Sequence, residues 1–133
     1  MSSYKVALIP GDGVGPELTD ATLQVLNAAQ ERFNLDLKFV KLEAGDACFE
    51  KRGVALPEET IKGVKDCHVC LKGPVGETAA DVVVKLRIML DLYANIRPIK
   101  AYLGVPCLRN DINLIFVREN TEDLYKGLEF MLD

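Results

Sequence analysis

The chain has 133 residues, of which 49% are hydrophobic and 27% charged, with a net charge of −4. That is enough chain to bury a core in one soluble domain, while the acidic balance and the lack of any basic cluster interleaved with aromatics argue against a nucleic-acid surface. No apolar run approaches the roughly 20 residues that span a bilayer, and the N-terminus lacks the apolar stretch of a signal peptide, so a cytoplasmic protein is expected.

The first predicted element is a buried-type strand, Lys5–Ile9, which runs into the loop Pro10-Gly11-Asp12-Gly13-Val14-Gly15. Pro16 and Glu17 then open a helix over Pro16–Phe33, with Leu18, Ala21, Val25, Leu26, Ala29 and Phe33 recurring at helical spacing. Strand, glycine loop and helix in that order are the grammar of a ligand site, because glycine lets backbone N–H groups approach a ligand closely. The spacing is G-x-G-x-G and not the G-x-G-x-x-G of dinucleotide-binding folds; a sharp turn that binds nothing would use the same residues.

Leu37–Leu42 alternates as a strand, Gly45–Gly53 reads as a connector that could hold a helical turn, and Pro57–Lys65 is a short helix. Cys67-His68-Val69-Cys70 has the C-x-x-C spacing of a redox pair or half a zinc site, but no second pair and no other histidine follows. Cys67–Leu71 is instead expected to be a short buried strand whose thiols act as small apolar groups. After Lys72-Gly73-Pro74 comes a helix from about Ala79 to Leu90, with Thr78 as N-cap and Asp81 completing a capping-box variant. Leu92–Ile99 and Ile112–Arg118 are further strands. Alternating strands and helices predict an α/β fold, a mainly parallel sheet with helices on both faces. Ligands in such sheets gather outside the carboxyl ends of the strands, which singles out loops 10–16, 72–78 and 118–125.

Arg87, Arg97 and Arg118 each fall where a guanidinium could face a common cleft. Arginine's planar fork pairs bidentately with carboxylates, so three converging forks suit a di- or tricarboxylic acid; singly, each could equally form a weak surface ion pair. Ala80, Val83 and Val84 lie seven, four and three residues before Arg87 and so share its helical face. An aliphatic substituent packed there would gain about 2 kcal/mol at about 25 cal/mol per Å², whereas a second carboxylate would lose hydration without compensation. The valines could equally face the core.

Five segments in order resemble the N-terminal part of the β-decarboxylating dehydrogenases, the family of 3-isopropylmalate, isocitrate and homoisocitrate dehydrogenases: Ile9–Glu17, Leu71–Val75, Leu86-Arg87, Asp91–Pro98 and Val117–Tyr125. The resemblance implies that Arg87, Arg97 and Arg118 hold the carboxylates of a 2-hydroxy acid and that Tyr125 helps protonate the enol left after decarboxylation. It places Gly73, Pro74, Val75, Gly76, Glu77 and Thr78 beside the nicotinamide and Val14 near the adenosine. NAD would take a hydride from the substrate's C2, and Mg²⁺ or Mn²⁺ would polarise the resulting carbonyl. Isocitrate enzymes tend to carry serine and asparagine where this chain has Asp81 and Val83, and homoisocitrate enzymes often carry arginine in place of Val84. The run Gly73–Arg87 looks most like archaeal-type isopropylmalate enzymes, which implies a role in leucine biosynthesis.

Complete members of the family are much longer. Their catalytic lysine, metal-binding aspartates and second adenosine-binding segment would follow residue 133, so no metal ligand is expected in this chain. Residues 1–99 would belong to the large α/β domain and 100–133 would begin a second, inserted domain. The isolated chain is expected to be inactive, and the complete protein a homodimer or larger. The alternatives are isocitrate or homoisocitrate oxidation, and a truncated relative that binds the acid without turnover.

Overall fold

The computed structural model describes residues 3–122, 126–128 and 130, and Tyr125 lies outside them. The chain packs as two compact units, Met1–Leu86 and Arg87–Asp133. In the first, β1 (Ser3–Ile9) is followed by α1 (Gly15–Phe33), β2 (Asp36–Lys41), α2 (Asp46–Arg52), α3 (Glu58–Lys65) and β3 (Val69–Lys72). The three strands form a parallel sheet in the order β2-β1-β3. Successive connections therefore step in opposite directions across the sheet, and right-handed crossovers then place α1 on one face and α2 with α3 on the other.

β1 is central, and its last four residues, Val6 to Ile9, are buried. As in other strands covered on both faces, they read as a continuous apolar run. β3 is an edge strand. Val69 is exposed, and Cys67 and Cys70 are half-buried rather than sunk in the core as expected. All four thiols are free; burial raises the pKa of Cys48 and of Cys70. At the amino end of β3 the side chain of His68 extends the ladder: its Nδ1 accepts the Lys5 N–H at 3.1 Å, and its ring meets Tyr4 edge-on.

The helix expected over Pro16–Phe33 forms, but it turns a different side inward. Gly15 and Thr19 are buried and Leu23 and Leu26 half-buried, whereas Leu18, Val25 and Phe33 are exposed. Proximity decides this: the Thr19 hydroxyl reaches the Pro10 carbonyl, and only small residues fit where the first turn crosses the loop. Asn34 ends the helix in a left-handed conformation, φ 54° and ψ 47°. The Gln30 side chain then accepts the Leu37 N–H at 2.7 Å, which starts β2.

The connector expected over Gly45–Gly53 is a helix of 7 residues, α2. Its N-terminal amides are capped from far away in sequence: Asp12 accepts the N–H of Asp46 at 2.9 Å and of Ala47 at 3.1 Å. Asp46 in turn accepts the N–H of Glu77 at 2.9 Å, the N–H of Thr78 at 2.8 Å and the Thr78 hydroxyl at 2.7 Å. Asp12 also takes the Gly76 N–H at 3.2 Å. These bonds hold the Asp46 carboxyl below its ordinary value of 3.8, the Thr78 hydroxyl contributing most and the Thr78 and Glu77 amides next.

Thr78 is thus not the N-cap of the following helix, because its hydroxyl is given to Asp46, and Asp81 pairs with Lys85 instead. The helix expected over Ala79–Leu90 is shorter and begins with a wide π-helical turn, Ala80–Val84, followed by α4 (Lys85–Met89). Val82, fully buried, is the residue that the wide turn drives into the core.

The second unit carries an antiparallel ribbon of β4 (Ala94–Lys100) and β5 (Asn113–Glu119). Both strands lie within two residues of the predicted ranges.

Thr60, 1% exposed, donates its hydroxyl to the Glu43 carbonyl at 2.7 Å. Thr60→Val keeps the shape and leaves that carbonyl without its donor, so urea denaturation is expected to show a loss of about 1–2 kcal/mol. A Cβ on Gly73 would overlap the Pro10 carbonyl oxygen, backbone that cannot yield; Gly73→Ala is expected to remove about 3 kcal/mol or more in the same assay. Because the Asp46 carboxyl is depressed in the folded chain, its bonds stabilise fully above its ordinary value of 3.8 and are lost as pH falls through the lower folded value. The urea midpoints of the native chain and Asp46→Ala are therefore expected to differ at neutral pH and to converge in acid.

Candidate functional site

In the order β2-β1-β3 the chain leaves β1 towards one side and returns on the other, which makes the carboxyl ends of β1 and β3 a topological switch point. Loops 10–16 and 72–78 meet there. The Asp12 N–H donates to the Pro74 carbonyl and the Gly73 N–H to the Ile9 carbonyl, each at 2.8 Å. Most of the glycines read as an invitation to a ligand are occupied by the protein itself. A Cβ on Gly11 would strike the Pro74 carbonyl oxygen, and one on Gly73 the Pro10 oxygen. The exposed lip of the crevice is Gly13-Val14, where Val14 caps α1 and is 53% exposed.

The proposed nicotinamide-side loop is therefore a built feature. Pro74 accepts from Asp12, Gly76 donates to Asp12, and Glu77 and Thr78 donate to Asp46, while Val75 is half-buried. An ionised carboxylate only accepts, so the Thr78 hydroxyl must donate to Asp46 and its lone pairs are left for a donor on a ligand. Asp12 and Asp46, which hold this loop in place, are residues that sequence reasoning missed. A carboxylate between two glycines and another directly after a glycine were the available signals, but their partners lie 31 to 64 residues away.

On the other side of the unit boundary, register decides the arginine geometry. Arg97 stands opposite Phe116 and Asn95 opposite Arg118. Directly opposed residues share a face of an antiparallel pair, so Arg97 and Arg118 are diagonal neighbours whose Cβ atoms come within about 7–8 Å. The Arg97 Nε donates to the Asn95 side-chain oxygen at 3.1 Å, which aims the rest of the fork. Asn95 is the member of this face that sequence reasoning overlooked.

Beyond Arg118 the chain is pinned by Glu119. Its carboxylate takes the N–H of Thr121 at 2.7 Å and of Glu122 at 3.0 Å, and these bonds bring its pKa down to about 2. The buried Asn120 donates to the Leu92 carbonyl at 3.0 Å, tying the start of this turn to the segment before β4.

Arg87 is half-buried on α4, and Val83 and Val84 are half-buried on the wide turn before it. The turn is wider than 3.6 residues, so the face shared by Arg87 and the valines cannot be counted from regular helical spacing. Among the described residues no three His, Cys, Asp or Glu side chains gather as a metal site would require. No helix formed by the described residues is long and apolar enough to cross a membrane.

The chain is similar to known proteins along nearly all of its length. The chain is 56% identical over 130 residues to a 3-isopropylmalate/3-methylmalate dehydrogenase of Methanocaldococcus jannaschii, covering 98% of this chain and 38% of that protein. It is 52% identical over 129 residues to a 3-isopropylmalate dehydrogenase of Methanothermobacter thermautotrophicus, again 38% of the relative's length. The crystal structure of isocitrate dehydrogenase from Methylococcus capsulatus superposes with a TM-score of 0.84 at 39% identity, covering 98% of this chain and 38% of that one. The chain thus spans well under half of the relatives it matches. The family profile described as isocitrate/isopropylmalate dehydrogenase matches residues 5–132, and the chain belongs to that family.

Proposed function

We propose that the protein to which these residues belong catalyses the NAD-dependent oxidative decarboxylation of 3-isopropylmalate, in the cytoplasm and in the service of leucine biosynthesis. The observation that carries this reading is the ribbon face on which Arg97 and Arg118 stand as diagonal neighbours, a pair of forks suited to a 2-hydroxy dicarboxylate. Arg87 supplies a third fork, and Val83 and Val84 the apolar surface for an isopropyl group. Tyr125, which lies outside the described residues, is assigned the proton donor to the enol.

The cofactor is assigned to Val14 and to Gly73, Pro74, Val75, Gly76, Glu77 and Thr78, which flank the switch point where α/β sheets take their ligands. The ordered loop and the free acceptor face of Thr78 fit a dinucleotide with a carboxamide donor. When bound, NAD supplies the hydride acceptor. The ligands of Mg²⁺ or Mn²⁺ are assigned, on the family resemblance, to the part of the protein beyond this chain. This chain's own share is to orient the acid through its arginines, exclude water with the valines and place a proton donor. Residues 1–99 are assigned to the large domain and 100–133 to the start of the inserted one, within a homodimer or larger assembly.

A second reading, oxidation of isocitrate or homoisocitrate, is favoured by the likeness to the Methylococcus capsulatus structure. In a third, the chain is a truncated relative that binds the acid without turnover.

A fusion separates them: this chain replaces the matching residues of the Methanocaldococcus jannaschii relative, and the rest of that protein stays constant. Turnover of 3-isopropylmalate with kcat/KM at least about 10-fold above isocitrate and homoisocitrate is expected, since a lost apolar contact is worth roughly that factor. A preference for isocitrate would overturn the assignment. Arg97→Ala in the fusion is expected to lower kcat/KM about 100-fold, the scale of a charge-assisted bond. The isolated 133-residue chain is expected to form no NADH from the acid, NAD and Mg²⁺; metal-dependent NADH formation would contradict the division of labour given above.

A further inference from the structure

The carboxylate of Asp46 does more than close a loop. It gathers three donors, two amides and a hydroxyl, from the two consecutive residues Glu77 and Thr78. Its own amide is gripped by Asp12, which also takes the Gly76 amide. Three successive residues of loop 72–78 thus have their amides turned onto two carboxylates. A peptide plane whose N–H is fixed has its carbonyl fixed on the opposite side, so these bonds set the Val75 and Glu77 carbonyls, while the Gly76 carbonyl accepts the Ala79 N–H at 3.1 Å and carries the chain into the next turn.

We propose that Asp46 is a positioning residue for the cofactor: by holding the amides of Glu77 and Thr78 and the Thr78 hydroxyl, it fixes the conformation in which loop 76–78 meets the nicotinamide end of the dinucleotide. This rests on the cofactor assignment made above. The arrangement asks for a carboxylate. Serine or asparagine has at most one oxygen to offer, whereas Asp46 uses both, Oδ2 for Glu77 and Oδ1 for Thr78. The lowered pKa of Asp46 agrees with an acceptor that stays ionised throughout the working range. Glycine at position 76 belongs to the same device, because a Cβ there would overlap the Asp46 carboxylate.

The test uses the fused, full-length enzyme, with NADH affinity read by fluorescence titration and KM read separately for NAD and for the acid. Asp46→Ala is expected to weaken NADH binding and raise the KM for NAD about 10-fold, leaving the KM for the acid within about twofold. Asp46→Asn keeps Oδ1 as an acceptor for Thr78 but sets an amide group against the Glu77 N–H, and is expected to recover part of that affinity. Unchanged NADH affinity in a folded Asp46→Ala enzyme overturns the proposal, as does an equal rise in both KM values, which would mark a general loosening. Should Asp46→Ala fail to fold, Asp46→Asn decides alone: native NADH affinity overturns, a severalfold loss confined to the dinucleotide supports. A fusion with Asp46 intact that binds NADH yet oxidises none of the acids removes the proposed function and leaves this inference to stand or fall on the NADH affinities; one that binds no NADH overturns both.

Discussion

Two carboxylates, Asp12 and Asp46, form the constraint on which the first unit depends. Parallel strands end with their carboxyl-end loops adjacent and with backbone amides that no ladder satisfies, and a buried amide without a partner is unfavourable. Here those amides are taken by charged acceptors in sequence: Asp12 receives the start of α2 and Gly76, and Asp46, first residue of α2, receives Glu77 and Thr78. Negative charge at a helix N-terminus is favoured by the helix dipole as well. One chain of bonds therefore sets the glycine loop, the origin of α2 and the loop after β3, and it does so within a few ångströms of the switch point. The price is steric: the backbones approach so closely that Gly11 and Gly73 admit no side chain.

What was legible in the sequence followed from local period. β1 shows as an apolar run and α1 as a 3.6-residue repeat opened by proline; β4 and β5 fell close to their predicted ranges because β-branched residues cluster in them. What was not legible depended on distant partners. α2 has no strong apolar stripe of its own and exists because Asp12 caps it from 34 residues away. The inward side of α1 was misjudged because Gly15 and Thr19, small and unremarkable by hydropathy, are the residues that fit against the loop. Thr78 had the spacing of a cap, but a carboxylate from another loop claimed its hydroxyl. The arginines could be named as types, while the adjacency of Arg97 and Arg118 required the ribbon's register. Asn95, which aims one of them, lies within the segment Asp91–Pro98 that carries the family resemblance, but nothing local marked its part.

The distribution of apolar surface belongs with the length of the relatives. Leu18, Val25 and Phe33 on α1, and Ile96, Ile115 and Val117 on one face of the ribbon, are exposed. Their composition is that of an interior, and a three-stranded sheet and a two-stranded ribbon are too narrow to enclose them. The matched proteins are much longer than this chain, which covers 38% of them. Few isolated ribbons of two strands are stable in water. The same economy shows in the core, where the largest fully buried side chains are only Ile9, Val82 and Thr60.

The wide turn at Ala80–Val84 fixes the length of the chain between loop and helix. An α-helical residue advances about 100° around the axis, so a π-helical turn holds roughly one residue more than a regular turn would need. Thr78 is bound to Asp46 while Val82 and Leu86, four residues apart, are both buried. Deleting one residue here would let the turn tighten to a regular α-helical one with Leu86 still in its buried place. A further insertion, by contrast, would turn Leu86 by about 100° about the axis: the spacing from Thr78 to Leu86 acts as a ruler, and the bulge is the one residue of slack in it.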